Sequence, residues 1–280
     1  MTNGSVTYLF VPGDHPQFFD KACISGSDVL ILDLEDSVHP LHKSLARQEV
    51  MDWLLHYPKK EVTQKIAIRI NQPNSIEYDQ DIDWLKKNNL FIYLSHLVIP
   101  KVESVAMIND VKKHLFDNPQ LSMIAIIETA WGLHRVYDIA HSGVERLAFG
   151  SLDFSLDMQC DMSRESLLFA RTQVVLASRL ANLLAPIDCV TPDIDDLAAL
   201  EQECLHAKAL GFTAKLAIHP YQIAIIKRSF DITQQQLTWS KKVLQQSQEQ
   251  YAFKVDGKMV DLPLILQAKK WLNTHKWKYA

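Results

Sequence analysis

The stretch Met123-Ile124-Ala125-Ile126-Ile127-Glu128-Thr129-Ala130 decides how this chain is read. It is a short, unbroken apolar run that closes on a carboxylate. A run without polar alternation reads as a strand covered on both faces, as in a parallel sheet. The same shape returns in Arg146-Leu147-Ala148-Phe149-Gly150, followed by Ser151-Leu152-Asp153. A buried strand that ends in a carboxylate delivers negative charge to the rim of its sheet. Two such rims together could hold a hard divalent cation, because Mg²⁺ prefers oxygen ligands.

Outward from these runs, further short apolar segments read as strands: Val6–Pro12, Val29–Leu34, Lys65–Asn71, His96–Val102, Ile187–Thr191 and Ala214–His219. Between them lie segments with helical periodicity. Ser104–His114 carries Val105, Ile108, Val111 and then Leu115 at three- and four-residue steps. Arg164–Leu184 is rich in Leu, Ala and Val, and Asp195–Leu210 ends at Gly211, a helix stop. Strand followed by helix, repeated eight times, predicts an α/β fold, a (β/α)₈ TIM barrel over residues 1–230. A C-terminal helical extension follows over residues 231–280. An open doubly wound sheet would more often carry a G-x-G-x-x-G turn after its first strand. Here that turn is Pro12-Gly13-Asp14-His15-Pro16.

In a barrel, the strand C-termini share one face, and that face holds the chemistry. The expected ring comprises Pro12-Gly13-Asp14, then Asp33 with Glu35 and Asp36, then Arg69 and Asn71. Pro100, Lys101 and Glu103 come next, followed by Glu128, Asp153, Asp188 and His219-Pro220. Acids dominate, with Arg69 and Lys101 as the evident cations.

The chain has 280 residues, a formal net charge of -4 and 48% hydrophobic residues. The mild acidity argues against a nucleic-acid partner, which calls for a basic face. No apolar run approaches the roughly 18 residues of a membrane span. The beginning Met1-Thr2-Asn3-Gly4-Ser5 lacks a secretion signal, and the four cysteines form no C-x-x-C pair. A cytoplasmic protein with reduced thiols is the expectation. His39 and His42 form no H-E-x-x-H arrangement, so no zinc site is read.

Several of these segments resemble the citrate lyase β-subunit-like family of the HpcH/HpaI aldolase superfamily. The resemblance rests on Leu9–Asp14, Leu30–Val38, Lys43 with Arg47, Arg69-Ile70-Asn71 and Ile99–Glu103. It continues through Glu128-Thr129-Ala130, Gly150 with Asp153-Phe154, Ala217–Pro220 with Gln222, and Asp256–Pro263. It implies a barrel that oligomerises, with a homotrimer favoured. It also implies a Mg²⁺-dependent carbon–carbon lyase acting on an acyl thioester of the citryl-CoA or malyl-CoA type. By that resemblance Glu128 and Asp153 bind the metal and Arg69 contacts substrate. Asp261, in the C-terminal extension, completes a neighbouring subunit's site as an acid/base.

On this expectation Glu35 and Asp36 order metal-bound water, and Pro12, Gly13, Lys43 and Arg47 line the substrate or CoA site together with Arg69 and Glu128. Plainer readings stand beside these. Lys43 and Arg47 read as solvated helix charges with thioester phosphate contact as the alternative. Asp261 reads as a helix N-cap before Leu262-Pro263, His219 as a structural hydrogen-bonder, and Gln234–Gln250 and Lys269–Lys278 as exposed helix faces. The sequence also departs from the family. Val6-Thr7 stands in place of an Arg-Ser pair, Leu152 replaces a polar residue before Asp153, Trp131 would intrude near the substrate, and Ala214 replaces a Gly. These changes leave open an acyl-carrier-dependent subunit, an aldolase for free hydroxy-oxo acids and a non-catalytic acyl-binding barrel.

Overall fold

The computed structural model of the chain describes residues 5–56, 64–114 and 121–278. The chain divides into two compact units, Ser5–Phe230 and a second one from Asp231 onward. In the first unit the strands are β1 (Thr7–Pro12), β2 (Val29–Asp33), β3 (Lys65–Arg69), β4 (His96–Ile99), β5 (Ser122–Ile127), β6 (Arg146–Phe149), β7 (Ile187–Asp188) and β8 (Ala214–Ala217). Its helices are α1 (Phe19–Cys23), α2 (Lys43–His56), α3 (Ile76–Lys87), α4 (Val105–His114), α5 (Ala130–His134), α6 (Val136–Ala140), α7 (Ser151–Met158), α8 (Arg164–Leu180), α9 (Leu197–Leu210) and α10 (Gln222–Phe230).

The eight strands run parallel and close into a barrel in sequence order. Closure is made by β1 against β8, with Thr7 opposite Lys215 and Leu9 opposite Ala217. This is the predicted (β/α)₈ fold. Strand side chains alternate, so each strand divides its residues between two cores. Tyr8, Ile31, Ala67, Val98, Ile126, Ala148, Ile187 and Leu216 fill the barrel interior. Leu9, Leu32, Ile68, Leu97, Ile127, Leu147 and Ala217 face outward and pack under the helices. Full burial of such a side chain contributes about 1.5–3 kcal/mol before entropy is counted.

Several boundaries are tighter than the sequence suggests. The expected strand Ile187–Thr191 pairs over only two residues. Beyond them the Thr191 carbonyl accepts from Gln222 Nε2 at 2.9 Å, a side-chain bond in place of a ladder bond. The helix expected to reach Leu184 stops at Leu180, because Asn182 takes the left-handed conformation (φ 56°). Helix α9 starts at Leu197, since the Asp196 carboxylate caps it by accepting from Ala199 N at 2.8 Å. Gly211, with φ 111°, ends it as predicted. Leu115, expected on α4, lies outside the described residues.

The second unit contains α11 (Gln234–Gln246), the antiparallel hairpin β9 (Phe253–Val255) and β10 (Lys258–Val260), and α12 (Leu262–Lys278). Its core is Val243, Phe253, Val255, Val260, Ile265 and Ala268. Asp256 and Gly257 turn the hairpin with φ of 48° and 84°, the pattern of a tight primed turn.

Candidate active site at the barrel rim

Alternation carries the interior-facing positions up to the rim. Two residues beyond the inner layer of Ile31, Ala67, Ile126 and Ala148 stand Asp33, Arg69, Glu128 and Gly150. The register sets Asp33 beside Arg69 on paired strands. Arg69 forks onto Asp33, Nε to Oδ1 and Nη2 to Oδ2, both at 2.6 Å. Its Nη1 lies 2.9 Å from Glu35 Oε2, and its guanidinium covers the Phe10 ring at 4.6 Å. Burial pushes the Arg69 pKa down, but Asp33, Glu35 and Glu128 outweigh it and hold the charge on. Asp33 is fully buried, which raises its proton affinity, yet Arg69 and the Ser37 and Glu35 donors leave it below the ordinary carboxylate range.

Glu128 is strongly perturbed. It is 3% exposed. Burial first, then the negative charge of Glu35 and also of Asp153, push its pKa up to about 8, against the pull of Arg69 and of Lys101 N–H. That amide donates to Glu128 Oε1 at 2.7 Å. Lys101 can present it because its backbone is left-handed (φ 47°), a strained state for a residue with a side chain. Lys101 Nζ then reaches across to Glu35 and, at 2.7 Å, to Asp36. Burial alone would make that ammonium less basic; Glu35 and Asp36 reverse the effect. Glu35 itself stays above its ordinary value, because burial outweighs Arg69 and Lys101.

Asp153 lies in the first turn of α7, whose N-cap is Gly150. A Cβ on Gly150 would sit 2.3 Å from Glu128 Oε2 and 2.7 Å from Glu128 Cβ. The glycine therefore makes room for the Glu128 carboxylate beside the start of α7. Among the described residues no three His, Cys, Asp or Glu side chains form a ready metal cage. A pair of hard oxygen donors, one of them a buried carboxylate whose negative charge is disfavoured by burial and by its acidic neighbours, fits Mg²⁺ with water completing its shell.

Pro12 and Gly13 close over β2. Gly13 N donates to Asp33 O at 2.8 Å, and a Cβ there would meet that oxygen at 2.7 Å. Asp36 is exposed and anchored by Lys101. His219 accepts from Tyr221 N at 3.3 Å and packs edge-on against its ring. Trp131 is exposed, with Arg135 over its ring at 5.0 Å. Asp261 belongs to the second unit, where its carbonyl accepts from Ile265 N at 3.0 Å as α12 begins.

Three expectations are corrected. Lys43 is not a solvated charge. It is buried, and its ammonium donates to Leu34 O, Glu35 O and Asn71 Oδ1 at 2.7, 2.7 and 2.8 Å, which uses all its protons. Arg47 is likewise buried, bonded to Glu77, Gln80 and Asp81 of α3. Lys43 braces the loop that carries Glu35, Arg47 ties α2 to α3, and both leave little free for a phosphate. Asp188 does not join the rim: Ile187 faces the interior, so Asp188 faces outward, to Arg171 and Lys215. The sequence reading names Asp33, Lys101 and Gly150 only as rim or motif positions. Their parts in fixing Arg69, turning an amide to Glu128 and making space for it emerge from the geometry.

Comparison with known proteins agrees with this geometry. The model of the HpcH/HpaI aldolase/citrate lyase family matches residues 7–220. The citrate lyase subunit beta-like protein of Mycobacterium tuberculosis is 31% identical over 276 residues, covering 95% of this chain and 94% of that protein. The mitochondrial citramalyl-CoA lyase of Homo sapiens is 28% identical over 286 residues, covering 93% of this chain and 82% of that one. A crystal structure of the protein CitE from Mycobacterium tuberculosis with magnesium, acetoacetate and coenzyme A superposes with a TM-score of 0.83 at 30% identity, over 97% and 98% of the two chains. With its closed parallel barrel and acidic rim, the chain belongs to the HpcH/HpaI aldolase/citrate lyase family.

Proposed function

We propose that this chain is a Mg²⁺-dependent carbon–carbon lyase that cleaves a β-hydroxyacyl thioester, of the citryl-, malyl- or citramalyl-CoA kind, into an oxo acid and an acyl thioester. The observation that carries the reading is Glu128, a buried carboxylate at a strand end whose pKa is pushed up to about 8 by burial, Glu35 and Asp153. Such a group calls for a cation. The names of the relatives and the magnesium and coenzyme A of the CitE complex support the same reading.

In this reading Glu128 and Asp153 hold the metal, which when bound draws charge from the oxo acid's oxygens and orients them. Arg69, fixed by its fork on Asp33, offers its remaining N–H groups to the thioester enolate oxygen or to a substrate carboxylate. The fixed fork means that little reorganisation is needed as charge develops. Glu35 and Asp36, tied to Lys101, order water beside the metal pair. Asp261 of a second copy, in a homotrimer, takes up the β-hydroxyl proton released as the bond breaks and returns it to the enolate carbon. The setting is cytoplasmic.

One observation favours a second reading. Lys43 has no donor left for a CoA phosphate, and Val6-Thr7 carries no positive charge to offer one. A carrier-linked or free hydroxy-oxo acid would need no such contact. The test is Mg²⁺-dependent turnover of a panel of CoA thioesters, following oxo-acid release. Release from one of the three named thioesters is expected. Mg²⁺ binding without cleavage of any of them would contradict the CoA reading and favour the second.

A further inference from the structure

A cavity lies on the helix side of β7, with Ser151, the residue after Gly150, at one wall. Its volume is about 280 Å³, below the usual range for drug-sized ligands. Its polar lining is Ser151, Arg164, Arg171, Gln202 and Glu203. Ile187 and Ala214 belong to the barrel interior, so their neighbours Asp188 and Lys215 point outward, toward the helices. Arg171, on α8, reaches them there. Its Nη2 donates to Asp188 Oδ1 at 2.6 Å, and its guanidinium lies 5.4 Å from the Phe212 ring. Lys215 Nζ donates to Asp188 Oδ2 at 2.9 Å and to Cys189 O at 2.7 Å.

Donors are left over after this pairing. Arg171 is 4% exposed and Ser151 2%. Arg171 Nε is buried without a hydrogen-bond partner, and the Ser151 hydroxyl has only the weak acceptor of the Cys189 thiol beside it. A buried donor without an acceptor is a standing penalty that a bound acceptor removes. Arg164, at the exposed side of the lining, adds a second guanidinium. Two guanidiniums face one carboxylate in the lining. Burial pushes the His206 imidazole's pKa down, and Arg171 and Arg164 push it further, outweighing Asp188 and Glu165. Glu203 is the one carboxylate of the lining. It accepts the Thr191 hydroxyl and lies 3.7 Å from Lys215 Nζ, so its charge is already answered. Met162, Leu167 and Val190 make the remaining wall apolar.

Leftover donors and positive charge against an apolar wall suit an anionic head on a short carbon body. We propose that this cavity is a second ligand site that binds a small carboxylate through Arg171, Arg164 and Ser151. The site is formed by side chains on the outer face of the barrel and does not depend on the metal pair or on the lyase reading.

The test is calorimetric titration of the full-length protein in EDTA, with pyruvate and separately with inorganic phosphate. Saturable pyruvate binding without metal is expected. It weakens about tenfold or more in Arg164→Ala, the factor for one lost charge-assisted hydrogen bond. Ala199→Leu, which fills the cavity without changing charge, weakens it as much. Asp153→Asn leaves it unchanged. Absence of saturable binding would overturn the proposal. So would binding that survives both Arg164→Ala and Ala199→Leu, or that disappears in Asp153→Asn. Phosphate binding more tightly than pyruvate would overturn the carboxylate assignment.

Discussion

Gly150 faces Glu128 so closely that a single added carbon would lie 2.3 Å from the carboxylate oxygen Oε2. The space for the buried carboxylate is thus set by the residue at the N-cap of α7, which also carries Asp153. Gly150→Ala must displace Glu128 or the start of α7. We expect Mg²⁺ affinity to fall by about tenfold or more and the fold to lose about 1–3 kcal/mol. Metal titration alongside thermal unfolding checks both. Unchanged Mg²⁺ affinity would contradict the close approach.

Lys101 joins the two halves of the rim, with its amide on Glu128 and its ammonium on Glu35 and Asp36. Lys101→Met keeps the length of the side chain and removes the charge. Turnover should drop about 10–100-fold, the usual effect of losing a group that orients a metal site. Circular dichroism should show the barrel intact. Steady-state kinetics at saturating Mg²⁺ decide the matter, and activity within about twofold of the parent would count against the role.

At the opposite mouth of the barrel, Arg146 is 1% exposed. It donates to Ala185 O at 2.5 Å, Ser5 O at 2.8 Å, Tyr8 Oη at 3.0 Å and Thr213 Oγ1 at 2.7 Å. Arg146→Met leaves those acceptors without a donor and should cost about 3–5 kcal/mol of unfolding free energy. Denaturant unfolding measures this. Turnover per folded molecule should be preserved, because these contacts lie at the strand N-termini.

Asp28 ties the start of β1 to the barrel floor. Its Oδ2 accepts from Val6 N, Thr7 N and Thr7 Oγ1 at 2.8, 3.0 and 3.1 Å, and Lys227 lies 2.7 Å from Oδ1. Burial raises its proton affinity, but the Lys227 bond and the two backbone donors outweigh it, so the carboxyl stays below its ordinary 3.8. A carboxylate so held contributes stability that is fully present above the unfolded pKa. That stability is lost as pH falls through the folded one. Asp28→Asn should therefore lower the unfolding midpoint near neutral pH by an amount equivalent to about 1 kcal/mol. The difference from the parent should shrink below pH 3.8. Thermal melts across that range test it, and a difference independent of pH would refute it.

The barrel is legible in the sequence because its strands are buried on both faces and read as short continuous apolar runs. Glu128 at the strand end is legible for the same reason, since its charge follows Ile127 without a break. Lys43 and Arg47 are misread because a charged pair one turn apart looks the same whether it faces water or buried acceptors. Their burial is decided by Asn71 and Asp81, residues distant in sequence. Asp188 is misread because a strand of two residues shows too little alternation to tell inward from outward. Lys101 gives no local sign of its left-handed backbone, which in a sequence is ordinarily marked by Gly or Asn.

The central claim is that Glu128 and Asp153 hold the Mg²⁺ on which carbon–carbon cleavage depends. The most direct measurement is cleavage rate against Mg²⁺ concentration for the parent and Asp153→Asn, with calorimetric Mg²⁺ binding on the same samples. The account predicts saturable Mg²⁺ activation in the parent. In Asp153→Asn, Mg²⁺ affinity and turnover should fall together by about a hundredfold or more, roughly the loss of one strong charge contact at a metal. An Asp153→Asn protein that binds Mg²⁺ and turns over like the parent would contradict it.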